Sequence, residues 1–110
     1  MEIKFKVITL CGSTKFKDDF LKIQSYLTLK GALVISLGIF TKKDNIIITK
    51  ELEEMLIDIH KQKIDMSDGI FVINKNGYIG SNTKKEIEYA MSKGKTVEYL
   101  EPIDNSTYFF

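Results

Sequence analysis

Cysteine and histidine are scarce in this 110-residue sequence, which contains one of each, Cys11 and His60. A single cysteine excludes an internal disulfide, and one cysteine with one histidine is too small a ligand set for a zinc site. We therefore predict no metal and no cofactor. The cysteine usage fits a reducing compartment, and we expect a cytoplasmic location.

Long hydrophobic runs are also missing. The longest fall far short of the roughly 20 residues that span a bilayer, and the first four residues lack the apolar stretch of a secretion signal. The 16 basic and 15 acidic side chains give a net charge of +1, whereas general nucleic-acid and membrane binders are usually clearly basic. We expect a small-molecule partner, with no nucleic-acid polymer and no membrane.

The composition that remains is that of one globular domain. Hydrophobic residues make up 44% and charged residues 28% of the chain, so a packed core is expected and disorder is not. A chain of this length matches the usual size of one domain. We predict a single domain spanning residues 1–110.

Strand-like and helix-like patterns alternate along the chain. Short β-prone or apolar runs predict strands at 4–11, 33–36, 70–73 and 96–100. Apolar residues at helical spacing predict helices from Thr14 to Gly31, from an N-cap at Thr49 to about Met66, and around 87–91 before Gly94. The order βαβαβαβ predicts an α/β fold: a doubly wound parallel sheet of about four strands with three main helices.

In such a sheet the ligand lies beyond the carboxyl ends of the strands, where the strand order reverses. The first loop there contains Gly12, Ser13 and Thr14. Glycine permits close backbone approach, two hydroxyls are available, and a helix N-terminus follows, which together suit a phosphate. The alternative is that Ser13 or Thr14 only caps the helix, because both standard phosphate-binding glycine patterns are absent.

The second such loop runs over 74–83 and leads to Glu86 in the first turns of the third helix. Glu86 is either a carboxylate in the cleft or one half of a capping box with Thr83. His60 lies beside the apolar stripe of the second helix, so it is either a surface or satisfied residue or a catalyst. Cys11 at a strand end has either a lowered pKa or the inert character of a small buried thiol.

Two segments resemble a known superfamily. The run ITLCGST at 8–14 resembles the first strand and loop of the nucleoside 2-deoxyribosyltransferase-like superfamily, and IGSNTKKEIEYAMSKGK at 79–95 resembles its catalytic segment. The superfamily includes deoxyribosyltransferases and nucleoside 5′-monophosphate N-glycosidases. The resemblance implies a flavodoxin-like domain that cleaves or exchanges the N-glycosidic bond of a nucleoside or its 5′-monophosphate.

The resemblance also implies roles for particular residues. Glu86 is the expected nucleophile on the anomeric carbon, where a carboxylate stabilises or traps an oxocarbenium-like state. The expected substrate- and phosphate-binding residues are Gly12, Ser13, Thr14, Asp68, Gly80, Ser81 and Asn82. Family sites are often completed by a neighbouring subunit, so a homodimer or higher homo-oligomer is expected, with the C-terminal Tyr108-Phe109-Phe110 as a candidate contact.

The chain departs from the superfamily at two positions. Thr9 stands where the family usually has a tyrosine that positions the nucleophile, and His60 stands eight positions before Asp68, where the family has a carboxylate that assists departure of the base. A histidine can donate a proton near neutral pH, so His60 either keeps that catalytic role or marks its loss. Asp68 then resembles a strand-start residue that organises the site.

Two other functions compete with this enzyme. A nucleotide-binding module without activity would keep the phosphate loop, and in it Glu86 would fold back onto its own helix. An enzyme requires Glu86 and His60 to face one cleft. A receiver-like signalling domain is disfavoured, because the first strand lacks the acidic pair that such domains need and the third strand ends in Asn74.

Overall fold

The computed structural model describes residues 5–103, and within them the chain forms four strands and three α-helices. The elements, in chain order, are β1 (Val7–Gly12), α1 (Lys17–Leu29), β2 (Leu33–Ile35), α2 (Lys50–Asp65), β3 (Gly69–Ile73), α3 (Ser81–Ser92) and β4 (Thr96–Tyr99). All strand pairs are parallel, and the strand order is β2-β1-β3-β4. This order is the flavodoxin-like one, so the predicted doubly wound α/β fold is confirmed.

The sheet has a core on each face, because successive strand residues point to opposite sides. Leu10 on β1 packs against Phe20 of α1 and the loop residue Phe40. Its neighbour Cys11 faces the other way, into a cluster with α2 and α3. That cluster contains Cys11, Ile64, Ile70, Val72, Ile87 and Ala90. Helices on both faces explain why the β3 sequence is apolar at every position.

Most helix ends follow the sequence signals. The Thr49 hydroxyl accepts a hydrogen bond from the Leu52 amide at 3.1 Å, so the predicted N-cap of α2 is confirmed. Gly31 and Gly94 follow α1 and α3 with φ angles of 94° and 71°, the left-handed conformation that ends helices. Among residues 5–103, no helix is long and apolar enough to cross a membrane.

The start of α1 and of α3 differs from the sequence interpretation. A short 3₁₀ turn over Thr14–Phe16 precedes α1, which therefore begins three residues later than predicted. Helix α3 begins at Ser81 with Gly80 as its N-cap, so Thr83 lies within the first turn and is buried. The capping box of Thr83 with Glu86 does not form, because Thr83 is not the capping residue. The C-terminal Tyr108-Phe109-Phe110 lies outside the described residues.

Candidate functional site

A cavity of about 450 Å³ opens at the carboxyl ends of β1 and β3, the point where the strand order reverses. Its volume lies in the usual range of small-molecule pockets, and its place is the one that doubly wound sheets use for ligands. All but one of the residues predicted for the site line it: Gly12, Ser13, Thr14, His60, Gly80, Ser81, Asn82 and Glu86.

Asp68 is the exception among the predicted site residues. It immediately precedes β3, and its carboxylate accepts a hydrogen bond from the Val7 amide at 2.8 Å. This bond joins the amino ends of β1 and β3, at the opposite edge of the sheet from the cavity. Asp68 therefore organises the strand starts, and it does not line the cavity.

Gly12 is held in a conformation that favours glycine. Its φ angle is 151°, and a Cβ atom there would lie 2.9 Å from the Ile73 carbonyl oxygen and 3.3 Å from the Phe20 ring. The end of β1 therefore lies close beside the end of β3, its partner in the sheet. A larger residue at this position would clash with Ile73 and Phe20 and displace the start of the first loop.

The two hydroxyls of the first loop both have protein partners. The Ser13 hydroxyl accepts from the Lys15 amide at 3.3 Å, which is the capping role that the sequence left open. The Thr14 hydroxyl accepts from the Lys42 amide at 3.1 Å and so ties the loop to the segment after β2. The Ser13 hydroxyl still has its own hydrogen to donate to an anion. The Thr14 hydroxyl also contacts the Thr41 hydroxyl at 3.4 Å, and its hydrogen is available to an anion when Thr41 is the donor of that contact.

Cys11, His60 and Glu86 meet beneath the cavity, and the last two also line it. The His60 Nε2 atom lies 3.2 Å from the Cys11 Sγ atom and 3.7 Å from the Glu86 Oε2 atom. The three side chains come from the end of β1, from α2 and from the first turns of α3. Glu86 therefore reaches across to α2 and β1, and it faces the same cleft as His60.

Burial controls the charge of this cluster. Loss of water raises the pKa of Glu86 to about 7, although a hydrogen bond from Cys11 opposes this shift. Loss of water, together with the positive charge of Lys63, lowers the pKa of His60 to about 4. Burial and the Glu86 charge raise the pKa of Cys11 well above its ordinary value. Of the two alternatives for Cys11, a lowered pKa or a small buried thiol, the structure therefore has the buried and inert thiol.

His60 is neutral at pH 7 as a consequence. Its contact with Glu86 is then a contact of a neutral imidazole with a carboxyl group that is about half protonated, and not a full ion pair. The expected proton donation by His60 requires the imidazolium form, which burial disfavours. Its Nε2 atom faces the cluster, while Nδ1 has no hydrogen-bond partner within residues 5–103.

Thr9 lies beneath the site and not in the cavity. Its buried hydroxyl contacts the Ser67 hydroxyl and donates to the Lys63 carbonyl oxygen at 3.1 Å. These bonds fasten the last turn of α2 to β1. Thr9 therefore fixes the helix that carries His60, although it does not contact Glu86 as the family tyrosine is expected to do.

Lys63 and Tyr78 also line the cavity, and neither was among the predicted site residues. Lys63 follows His60 by three positions on α2, and its Nζ atom donates to the Ser36 carbonyl oxygen at 2.9 Å. The i, i+3 spacing was the available signal that the two residues share a helix face. Tyr78 stacks under the Lys15 ammonium group at 3.6 Å and so connects the two loops of the site, which no local pattern predicts.

Together, these features define a flavodoxin-like α/β domain in which a cavity and a buried Cys–His–Glu cluster lie where the strand order reverses. A scan against protein-family models gave no match for this chain, and a search of curated proteins gave none either.

Proposed function

We propose that this protein cleaves or exchanges the N-glycosidic bond of a nucleoside or nucleoside 5′-monophosphate, with Glu86 as the nucleophile. The observation that carries the proposal is the placement of Glu86, which lines the cavity beside His60 and does not cap its own helix. A sugar held by the two loops would present its anomeric carbon to a carboxylate at this end of the sheet.

The cavity has features that suit a phosphorylated sugar. Gly12, Ser13 and Thr14 supply backbone and hydroxyl donors at one side, and Lys42 adds a positive charge to the lining. Ser81 and Asn82, at the start of α3, supply donors at the other side. The first loop would hold the 5′-phosphate and the second the sugar, which places the base toward the apolar part of the lining formed by Leu56 and Ile57.

The proposed reaction has two steps. In the first, a Glu86 carboxylate oxygen forms a bond to the anomeric carbon while the carbon–nitrogen bond breaks, and the leaving base takes the electron pair and a proton from solvent. In the second, water attacks the anomeric carbon, the ester to Glu86 breaks, and a proton returns to solvent. Attack by a second base in place of water gives transfer.

His60 takes a positioning role in this mechanism. It contacts both Cys11 and Glu86, and it remains neutral at pH 7, so it holds the carboxyl group without supplying a proton as a cation. The superfamily carboxylate that assists departure of the base is thus replaced by a group of different function.

A nucleotide-binding module without activity is the second candidate. The neutral state of His60 favours it, because no cationic acid faces the leaving base, and so does the commitment of the Thr9 hydroxyl to Ser67 and Lys63. Binding would use the same first loop.

A panel of nucleosides and nucleoside 5′-monophosphates, with released base measured by chromatography, separates these candidates. We expect base release, and we expect it to be faster from monophosphates because the first loop binds the phosphate. No release, with monophosphates still raising the melting temperature, would establish the binding module instead. Absence of both release and stabilisation would contradict both candidates.

The pH dependence of base release tests the form of Glu86 that reacts. A nucleophile must be ionised, and the pKa of Glu86 is raised to about 7. We expect kcat/KM to rise about tenfold per pH unit below pH 7 and to level off above it. A rate that falls as pH rises through 7 would instead identify Glu86 as a general acid.

Self-association stays a prediction of the resemblance, and we propose the exposed face of α2 as the contact. Leu52, Met55 and Ile59 of this helix are each 40% or more exposed beside the cavity. The molecular mass in solution tests it.

A further inference from the structure

We propose that Cys11, His60 and Glu86 form a binding site for a divalent transition-metal ion of the zinc type, with the fourth ligand position open to the cavity. The three side chains each offer one ligand atom, and these atoms all lie within 4.8 Å of one another. Cys11 and His60 alone are too few ligands for a metal site. Folding adds a third ligand from α3, and three protein ligands are what catalytic zinc sites use.

The distances fit a tetrahedral ion. Metal–sulfur bonds of about 2.3 Å and metal–nitrogen or metal–oxygen bonds of about 2.0–2.1 Å place neighbouring ligand atoms roughly 3.3–3.6 Å apart. The Cys11 Sγ to His60 Nε2 distance is 3.2 Å, and the His60 Nε2 to Glu86 Oε2 distance is 3.7 Å. The third pair, Cys11 Sγ and the Glu86 carboxylate, lies within 4.8 Å, so an ion would draw these two side chains together by at most about 1.3 Å.

The donor set selects the ion by its chemistry. A thiolate, an imidazole and a carboxylate suit zinc and its neighbours in the first transition row, whereas magnesium and calcium prefer sites made of oxygen ligands. Cys11 is fully buried, while His60 and Glu86 line the cavity, so the remaining coordination position faces the cavity and is accessible to water or a ligand.

The charge balance also favours a dication here. A buried thiolate and a buried carboxylate are each costly alone, but together they neutralise a charge of +2. On binding, Cys11 gives its proton to solvent and coordinates as the thiolate. The ion and the sugar would compete for Glu86, so the metal-bound chain is not expected to release base through this residue.

Cobalt(II) titration of the metal-free 110-residue chain tests the site directly. We expect one Co²⁺ per chain, with the intense visible bands of a tetrahedral ion and a near-ultraviolet thiolate-to-metal charge-transfer band. The chain has one cysteine, so the charge-transfer band alone identifies Cys11 as a ligand in the unmutated protein. Zn²⁺ should displace Co²⁺ and abolish the bands. A pale octahedral spectrum, or no band from a thiolate, would overturn the proposal.

Two variants on the same helix sharpen the test. Glu86→Gln should weaken Co²⁺ binding by about 100-fold or more through loss of a ligand, and Glu88→Gln, which changes an exposed carboxylate two residues away, should not alter it. Equal affinity in Glu86→Gln and the unmutated chain would contradict the assignment. The titration contains no nucleoside, so its outcome is independent of whether the glycosidase proposal holds.

Discussion

Glu86→Gln is expected to lower base release by roughly 10³-fold or more, because the amide cannot form the bond to the anomeric carbon. The substitution keeps the size of the side chain and removes a buried ionisable group, so we expect the fold to be kept. Initial rates of base release from the best substrate of the panel, measured under saturating conditions, give the comparison. Unchanged circular dichroism and melting behaviour would show that the loss is chemical.

The control for this experiment is Glu88→Gln, on the same helix and exposed to solvent. We expect this variant to release base at a rate within about twofold of the unmutated protein, because surface changes away from a site have small effects. Base release that survives Glu86→Gln undiminished would remove Glu86 as the nucleophile. A matching loss in Glu88→Gln would point to a change in α3 rather than to chemistry.

Glu86→Gln is also expected to change how the free energy of unfolding depends on pH. The pKa of Glu86 is about 7 in the folded chain against an ordinary value of 4.5, so the folded state holds the extra proton between these values. Stability therefore falls as pH rises through this window. For His60, with a folded pKa of about 4 against 6.5, the unfolded state holds the extra proton, and stability rises with pH.

The opposing contributions of Glu86 and His60 to the pH dependence of stability nearly cancel in the unmutated protein between pH 4.5 and 6.5. Cys11 adds nothing in this range, because its raised pKa keeps it a thiol. Without Glu86 only the His60 slope remains. The stability of Glu86→Gln relative to the unmutated chain should thus increase by on the order of 3 kcal/mol between pH 4.5 and 7.

Urea denaturation across this pH range, with a chelator present to remove metal, measures the difference. Glu88→Gln should follow the unmutated protein at every pH, because its carboxylate is exposed in both the folded and the unfolded state. Parallel curves for Glu86→Gln and the unmutated chain would mean that Glu86 is not held in a dry environment, and the account of its raised pKa would be incorrect.

The sheet was predictable because its strands are short apolar runs with distinct breaks, and the Thr49 cap and the glycine helix ends have local chemical signals. Local signals also placed the two loops at one edge, since parallel strands share their carboxyl ends. The start of α3 was harder to predict. Both Gly80 and Thr83 are acceptable capping residues, and packing of Thr83 into the core decided between them.

The chemistry of the cluster was not predictable from local patterns. Cys11 and His60 are 49 residues apart, and their contact depends on how α2 lies across the sheet. The pKa direction at each group depends on burial, which a lone residue in a sequence does not reveal. The position of Asp68, in contrast, follows from the sequence, because a residue that precedes β3 lies at the amino ends of the strands, opposite the cavity at their carboxyl ends.

Because Cys11 is buried, the rate at which its thiol is modified reports how often the folded molecule opens locally. The chain carries one thiol, which is 0% exposed in the folded state, so a thiol reagent reacts only during excursions that separate β1 from the helices above it. When reclosing is faster than modification, the labelling rate divided by the rate for an unprotected thiol gives the equilibrium constant for opening. A ligand in the cavity that holds α2 and α3 together would slow this rate, so binding becomes measurable at one sulfur atom without a turnover assay.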